Sequence, residues 1–251
     1  MPVACPVEPG GPRRGEPGPD GLAPGLLPEV SRPPFSASIF LVGLTVGVEI
    51  GARRVFASAL EWPGWCRSAR TEEGALAALA AYRERYLRVA QAARLALPAA
   101  SPSDFQVVER KPGNATTDFG APAVIFAADQ APLGPGDGER LAELVLSAWR
   151  TFGDIVAAAP ATLRKGPRGG GRDRDQVARH VQDNQRAYWR KFRPDDAPGP
   201  AGREEVARAL MAGGPANAVA SGKWPPRYEA RRLAWHLLDH AWEIEDRSRP
   251  D

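Results

Sequence analysis

The stretch that most constrains the fold is the predicted C-terminal helix, residues Trp224 to Asp246. Its apolar residues recur with helical spacing, which predicts a stripe that faces a core. That stripe comprises Leu233, Leu237, His240 and Ile244. His236 and His240 are four residues apart, so both imidazoles project from one face of the helix. Because burying a charged imidazole is costly, the pair must stay neutral or find a partner, and a divalent cation is one such partner.

The chain contains three histidines, and the third, His180, lies on another predicted helix, residues 172–192. The inward stripe of that helix is predicted to comprise Val177, Val181, Asn184 and Tyr188, with His180 on its shoulder. Three imidazoles with an open fourth position are typical of catalytic rather than structural zinc-type sites. The sequence therefore predicts a metal site at His180, His236 and His240, for zinc, nickel or iron(II). The alternative to a metal site is that His236 and His240 are core or capping residues and that His180 is a surface residue.

Carboxylates lie near the three histidines in the sequence. Asp183, Asp239 and Glu243 are each within about one helical turn of a histidine, and they are candidate acceptors for the second ring nitrogens. Glu243 lies angularly close to the His236 and His240 pair. Its alternative roles are a fourth ligand or a catalytic proton-transfer group.

The order of the predicted elements indicates an α+β N-terminal small domain followed by an all-α four-helix bundle. Residues 1–36 are rich in proline and glycine and are predicted to be disordered. Strands are predicted at 44–50, 55–60, 105–109 and 124–127, with a helix from Thr71 to Leu97, inside a small domain over 39–128. Residues 129–138 form a predicted linker. The bundle is predicted to cover 139–247, with its third helix at 203–211.

Composition excludes several classes of protein. The 33 basic and 30 acidic residues leave a net charge of only +3, so no nucleic-acid partner is expected. Two cysteines in 251 residues make no disulfide framework, which favours the cytoplasm. The apolar run 39–48 is about half as long as a membrane helix, so no membrane association is expected. A hydrolase that uses Cys66 has little support, because no histidine lies in the same predicted domain.

The loop between the first two bundle helices, residues 163–175, is basic and rich in glycine. It is not a phosphate loop, because no strand precedes it and the Gly-Lys-Ser/Thr ending is missing. The favoured interpretation is a flexible connection between antiparallel helices. The alternative is that Arg164, Arg168 and Arg172 bind the carboxylates of a small-molecule substrate.

Two segments carry a resemblance to a known family. The region from Gly138 to Asp246 resembles the DinB/YfiT-like superfamily of metal-binding four-helix bundles. Two segments carry this resemblance: Val177-Ala-Arg-His-Val-Gln-Asp-Asn-Gln-Arg-Ala-Tyr-Trp189 and Ala234-Trp-His-Leu-Leu-Asp-His-Ala-Trp242. The resemblance implies that the three histidines are its metal ligands. It also implies a possible low-molecular-weight thiol cofactor, such as mycothiol or bacillithiol, in a transferase or an isomerase like the mycothiol-dependent maleylpyruvate isomerase.

The N-terminal half carries a second resemblance. The region from Thr45 to Glu109 resembles the small HicB-like antitoxin fold. Two segments carry this resemblance: Val55-Phe-Ala-Ser-Ala-Leu-Glu-Trp-Pro-Gly-Trp-Cys66 and Thr71-Glu-Glu-Gly-Ala-Leu-Ala-Ala-Leu79. The resemblance implies the fold of this half. Antitoxin function is not carried over, because no DNA-binding extension is visible in the sequence.

These observations give two functional hypotheses from different classes. The first is a metal-dependent enzyme, in which the cation lowers the pKa of a bound thiol or water and so generates a nucleophile. The second is a non-catalytic scaffold or partner-binding protein, possible as a homodimer, in which the metal is structural or absent. A solvent-accessible site at the histidines favours the enzyme, whereas tight apolar packing over them favours the scaffold.

Overall fold

The computed structural model describes residues 44–99, 101–165, 171–193, 202–215, 218 and 220–249. Within these residues a small four-stranded sheet comes first along the chain, and a mainly helical part follows. The α+β composition predicted from the sequence is therefore confirmed. The predicted disordered tail, residues 1–36, lies outside the described residues.

The sheet has the strand order β3-β2-β1-β4. Its strands are β1 (Leu44–Ile50), β2 (Val55–Ala59), β3 (Cys66–Ala69) and β4 (Phe105–Pro112). The predicted hairpin is confirmed, because β1 and β2 pair antiparallel. β3 extends the hairpin antiparallel, whereas β4 pairs parallel with β1. A parallel pair needs a long crossover connection, and the helices between β3 and β4 supply it.

The strand predicted at 124–127 is wrong. The backbone amides of Ala123 and Val124 donate to the carboxylate of Glu49, at 3.0 and 3.1 Å, so they are not available to a neighbouring strand. Glu49 is itself buried on β1, where Thr117 also donates to it. A short helix, α4 (Ala127–Gln130), follows. The carboxylate therefore fixes an irregular segment against the sheet.

The long helix predicted from Thr71 to Leu97 forms as two helices, α1 (Glu72–Ala81) and α2 (Arg83–Ala92). The predicted cap is confirmed, since the Thr71 hydroxyl accepts from the Gly74 amide at 3.1 Å. The chain leaves the helical conformation at Tyr82, whose φ of −89° and ψ of 2° separate the two helices. A single turn at Pro102–Asp104 and a short helix, α3 (Ala115–Phe119), flank β4.

Four helices of nine or more residues occupy the second half of the chain, and their predicted positions are confirmed. They are α5 (Asp137–Ala158), α6 (Arg174–Phe192), α7 (Arg203–Met211) and α8 (Pro226–Ser248). α8 contacts α5, α6 and α4, and α5 contacts α7. None of the described helices combines the length and the apolar character that crossing a bilayer requires.

α8 is buried on nearly every side, because it lies between the sheet and the other long helices. On the sheet side, the Trp235 ring meets Phe56 edge-on at 6.2 Å, and Trp242 contacts Tyr82 at 5.2 Å. The described residues belong to a single compact unit, Leu41–Asp251, whose core includes side chains from the sheet and from the long helices. The division at 129–138 stays a prediction.

Buried and partly buried ion pairs fix α8 to the N-terminal elements. The guanidinium of Arg231 binds both carboxylate oxygens of Asp129, at 2.7 and 2.6 Å, and both side chains are buried. Arg67 on β3 pairs with Asp239 at 3.0 Å. A buried charge without its partner is strongly destabilising, so these pairs restrict how α8 can rotate or slide.

We predict that Gly64→Ala destabilises the fold by about 1–3 kcal/mol. Gly64 has a φ of +92°, and a Cβ there would lie 2.6 Å from Leu238 Cδ1 and 3.1 Å from the Ala234 backbone on α8. Chemical denaturation measures the loss. The control is Gly153→Ala on α5, whose Cβ would meet no described atom within 4 Å, and which should stabilise the fold by about 0.5–1 kcal/mol. Equal stability of the two variants would contradict the prediction.

Candidate metal centre

One face of α8 carries a continuous polar stripe. Its members are spaced three or four residues apart, so they share one side of the helix. They are Glu229, Arg232, His236, His240, Glu243 and Arg247. This face meets α6, where the Tyr188 ring lies 5.6 Å from His236 and 5.1 Å from the Arg232 guanidinium. The two histidines and Glu243 are predicted from the sequence as site residues, and the same helical spacing also places the other three on this face.

The structure brings His180, His236 and His240 together. Each offers a ring nitrogen, and these three atoms lie within 4.8 Å of one another. His236 Nε2 and His180 Nε2 are 3.4 Å apart, which is long for a hydrogen bond. Two nitrogens bound to a tetrahedral ion at ~2.0–2.1 Å would lie ~3.3 Å apart. The spacing of this pair therefore fits a shared cation better than a direct hydrogen bond.

Burial keeps His236 neutral, which is the form that binds metal. His236 is only 5% exposed, while His180 and His240 are partly exposed. Burial lowers the pKa of His236 to about 2, and the electrostatic interactions with His240 and Arg232 add to the effect. Burial also lowers the pKa of His180, followed by the charge of Arg172. His236 is therefore available as a neutral ligand over the whole physiological pH range.

His236 supplies a second sign that the site holds an ion or a water. Its Nδ1 is buried and has no hydrogen-bond partner among the described residues. A buried polar atom without a partner is rare in native proteins and calls for an unseen water or ion. Together with the long contact at Nε2, this leaves the His236 ring without a good protein partner on either nitrogen.

His240 has the partner that a metal-binding histidine requires. Its Nδ1 donates to Glu243 Oε2 at 2.8 Å, and Arg247 Nη1 donates to the other carboxylate oxygen at 2.7 Å. The hydrogen bond from His240 and the charge of Arg247 lower the pKa of Glu243, so the carboxylate stays ionised. This arrangement leaves His240 Nε2 free as the ligand atom. Both oxygens of Glu243 are engaged, which favours an orienting role over a fourth ligand or a proton-transfer group.

The other two predicted carboxylates do not contact the histidines. Asp239 pairs with Arg67, because one residue along a helix turns the side chain by about 100° and directs it towards β3. Asp183 is exposed and lies 3.7 Å from Arg186. His180 is instead adjacent to Asn184, whose Nδ2 lies 3.2 Å from His180 Nδ1. The same Nδ2 donates to the His180 backbone carbonyl at 2.9 Å, which fixes the Asn184 side chain beside the imidazole.

The predicted arginines have different surroundings. Arg164 is joined to α8 through its backbone, since its amide donates to the Arg247 carbonyl at 3.0 Å and its carbonyl accepts from Arg247 Nε at 2.8 Å. Arg168 lies outside the described residues. Arg172 is exposed, and its positive charge acts on both His180 and His236. Of the described pair, Arg172 is the one whose charge acts on the candidate site.

Cys66 is not prepared for nucleophilic chemistry. It is buried, and burial raises the pKa of its thiol to about 11. The Ser58 hydroxyl donates to Cys66 Sγ at 3.1 Å. The reactive form of cysteine is the thiolate, which this environment suppresses. The geometry agrees with the weak sequence support for a Cys66 hydrolase.

Glu229 is the most unusual member of the polar stripe. It is fully buried, and neither of its oxygens has a hydrogen-bond partner among the described residues. Burial raises its pKa to about 8, although the charge of Arg232 opposes the shift. The group is therefore largely protonated at neutral pH, because an unpaired buried carboxylate would be costly.

We predict that Glu229 makes the fold less stable as the pH rises. Below the ordinary pKa of 4.5 the carboxyl is protonated in both states, whereas between 4.5 and about 8 only the unfolded chain loses the proton. Stability should fall over that window by up to about 1.4 kcal/mol per pH unit. Denaturation of wild type and Glu229→Gln across the window measures the difference, with the exposed Glu143→Gln as the control. A difference that does not change with pH would contradict the assignment.

We predict that Glu243→Gln lowers the affinity for a divalent cation by about 10- to 100-fold, because it weakens the hydrogen bond that orients His240. Asp239→Asn is the matched control, since it removes one carboxylate charge next to His240 but breaks a pair with Arg67. Calorimetric titration with Zn²⁺ measures both. Equal losses in the two variants would indicate a general charge effect instead of a specific hydrogen bond.

Comparison with known proteins assigns no family to the chain. No family model, no curated protein and no solved structure matches it. The DinB-like and HicB-like resemblances therefore stay predictions. The chemistry of the site rests on its own residues, above all on the convergence of three imidazoles.

Proposed function

We propose that the chain is a divalent-metal-dependent enzyme that uses a low-molecular-weight thiol or water as its nucleophile, in a transferase or isomerase reaction. The observation that carries the proposal is the convergence of His180, His236 and His240, whose ligand nitrogens lie within 4.8 Å of one another. Three neutral imidazoles hold zinc, nickel or iron(II) and leave a coordination position open for a reactant.

The residues around the histidines support catalysis over a structural role. His180 and His240 are partly exposed, which is what a site open to a small molecule requires. A divalent cation in such a site supplies Lewis acidity and lowers the pKa of a thiol or water beside it. Glu243 and Arg247 orient His240, and Asn184 lies against His180. Oriented ligands are needed because the geometry of the open position depends on them.

The fold supports a relationship to the DinB-like superfamily as part of the same proposal. In this proposal α5, α6, α7 and α8 are the four helices of the bundle, and α6 and α8 provide the ligands. The contacts of α8 with α5 and α6, and of α5 with α7, are compatible with it. The four-stranded sheet with its helices would correspond to the HicB-like half. Neither relationship assigns the substrate.

We predict that the full chain binds one Zn²⁺, Ni²⁺ or Co²⁺ and that His236→Ala loses it. Removal of one of three ligands should lower the affinity by more than the about 10- to 100-fold typical of an outer hydrogen-bond partner. Equilibrium dialysis with metal analysis gives the stoichiometry. Gln182→Ala, at an exposed position of α6 near His180, is the control.

The same experiment separates the enzyme from the scaffold. Equal metal content in wild type and His236→Ala would remove the proposed site and leave a non-catalytic helical protein. If the cation binds, a panel of thiols titrated into the metal-loaded chain identifies a thiol cofactor. Saturable binding that requires the cation supports the enzyme, whereas a cation that binds without any change on addition of thiols favours water as the nucleophile.

A further inference from the structure

Arg172 occupies an unusual position beside the candidate metal centre. It is exposed and makes no hydrogen bond or ion pair with any described residue. It lies two residues before α6, the helix that carries His180. Its positive charge acts on both His180 and His236. An unpaired guanidinium therefore lies within electrostatic range of two of the three histidines.

The backbone next to Arg172 lies close to α8. Gly171 has a φ of +128°, and a Cβ on it would lie 2.8 Å from Arg247 Nη2, so the backbone approaches the Arg247 guanidinium closely. Arg247 in turn binds Glu243, the partner of His240. On the other side, Asp173 accepts from Lys165 Nζ at 2.8 Å. Arg172 is thus held between two anchored residues at the end of the polar stripe.

The neighbouring carboxylates are already engaged. Glu243 is bound by His240 and Arg247, Asp173 by Lys165, and Asp183 lies next to Arg186. The described chain therefore offers Arg172 no carboxylate of its own. A free positive charge beside a cation site weakens cation binding by repulsion, unless an anion lies between the two. This arrangement is unfavourable for a site that holds a metal alone and favourable for one that also takes an anionic ligand.

We propose that Arg172 binds the carboxylate of a small-molecule substrate whose reacting end reaches the three histidines. The inference rests on the proposed metal-dependent function and adds the substrate class to it. The planar guanidinium matches the two oxygens of a carboxylate with two parallel hydrogen bonds. Arg247 contributes by position, because its guanidinium supports the backbone of Gly171, and its Nη2 has no partner among the described residues.

Calorimetric titration of the Co²⁺-loaded full chain tests the inference with two probes, 3-mercaptopropionate and 2-mercaptoethanol. The probes share a thiol and differ in a carboxylate against a hydroxyl. Wild type should bind the carboxylate probe roughly tenfold more tightly. Arg172→Gln should lose this preference and should bind Co²⁺ at least as tightly as wild type, because a repelling charge has gone. Arg190→Gln, an exposed position on α6, removes the same charge and should retain the preference.

The outcomes separate this inference from the proposed function. If the chain binds no Co²⁺, both are overturned. If Co²⁺ binds and wild type takes the two probes with equal affinity, or takes neither, the carboxylate site is overturned while the metal site stands. A preference that survives in Arg172→Gln also overturns it, since the carboxylate would then be held elsewhere. Loss of the preference in Arg172→Gln alone supports the assignment.

Discussion

The structure depends on the burial of α8 with a polar stripe along one of its faces. A helix that is covered on nearly every side is stabilised by the burial of its apolar side chains. Its buried charged side chains are destabilising unless each has an ion-pair or hydrogen-bond partner. On the side facing α4 and the sheet, Arg231 forms an ion pair with Asp129, and Asp239 forms one with Arg67. On the side facing α6, several buried polar atoms of the stripe from Glu229 to Arg247 have no hydrogen-bond partner among the described residues. That difference makes the face towards α6 the candidate functional surface.

The candidate metal centre lies where two requirements coincide. One is burial that keeps a ligand imidazole neutral, and the other is access to solvent for a reactant. His236 meets the first requirement, and His180 and His240 meet the second. Glu243 adds a negative charge that its pairing with Arg247 and His240 keeps in place. The arrangement combines three converging imidazoles with partial exposure, as the proposed catalytic site would require.

The sheet and its helices contribute to the candidate metal centre by packing against the face of α8 that points away from α6. Gly64 lets the segment after β2 approach the α8 backbone, and the rings of Phe56 and Tyr82 pack on Trp235 and Trp242. Arg85 on α2 pairs with Asp246 near the end of α8. These contacts fix the rotation of α8 about its axis, and that rotation decides which residues face α6. The N-terminal half is therefore part of the support of the site, whatever further role it has.

The sequence by itself determined the features that depend on local spacing. Helical periodicity located α5 to α8, alternation located the hairpin, and a four-residue interval identified His236 and His240 as a chelating pair. The tertiary structure decided what depends on distant segments: the break at Tyr82, the pairing of β3, and the irregular segment at 124–127 held by Glu49. It also decided that Glu243, and not Asp239 or Asp183, contacts a histidine. The physical reason is that residue spacing fixes the angles between side chains on one helix, whereas only packing against other elements fixes the direction in which the whole set points.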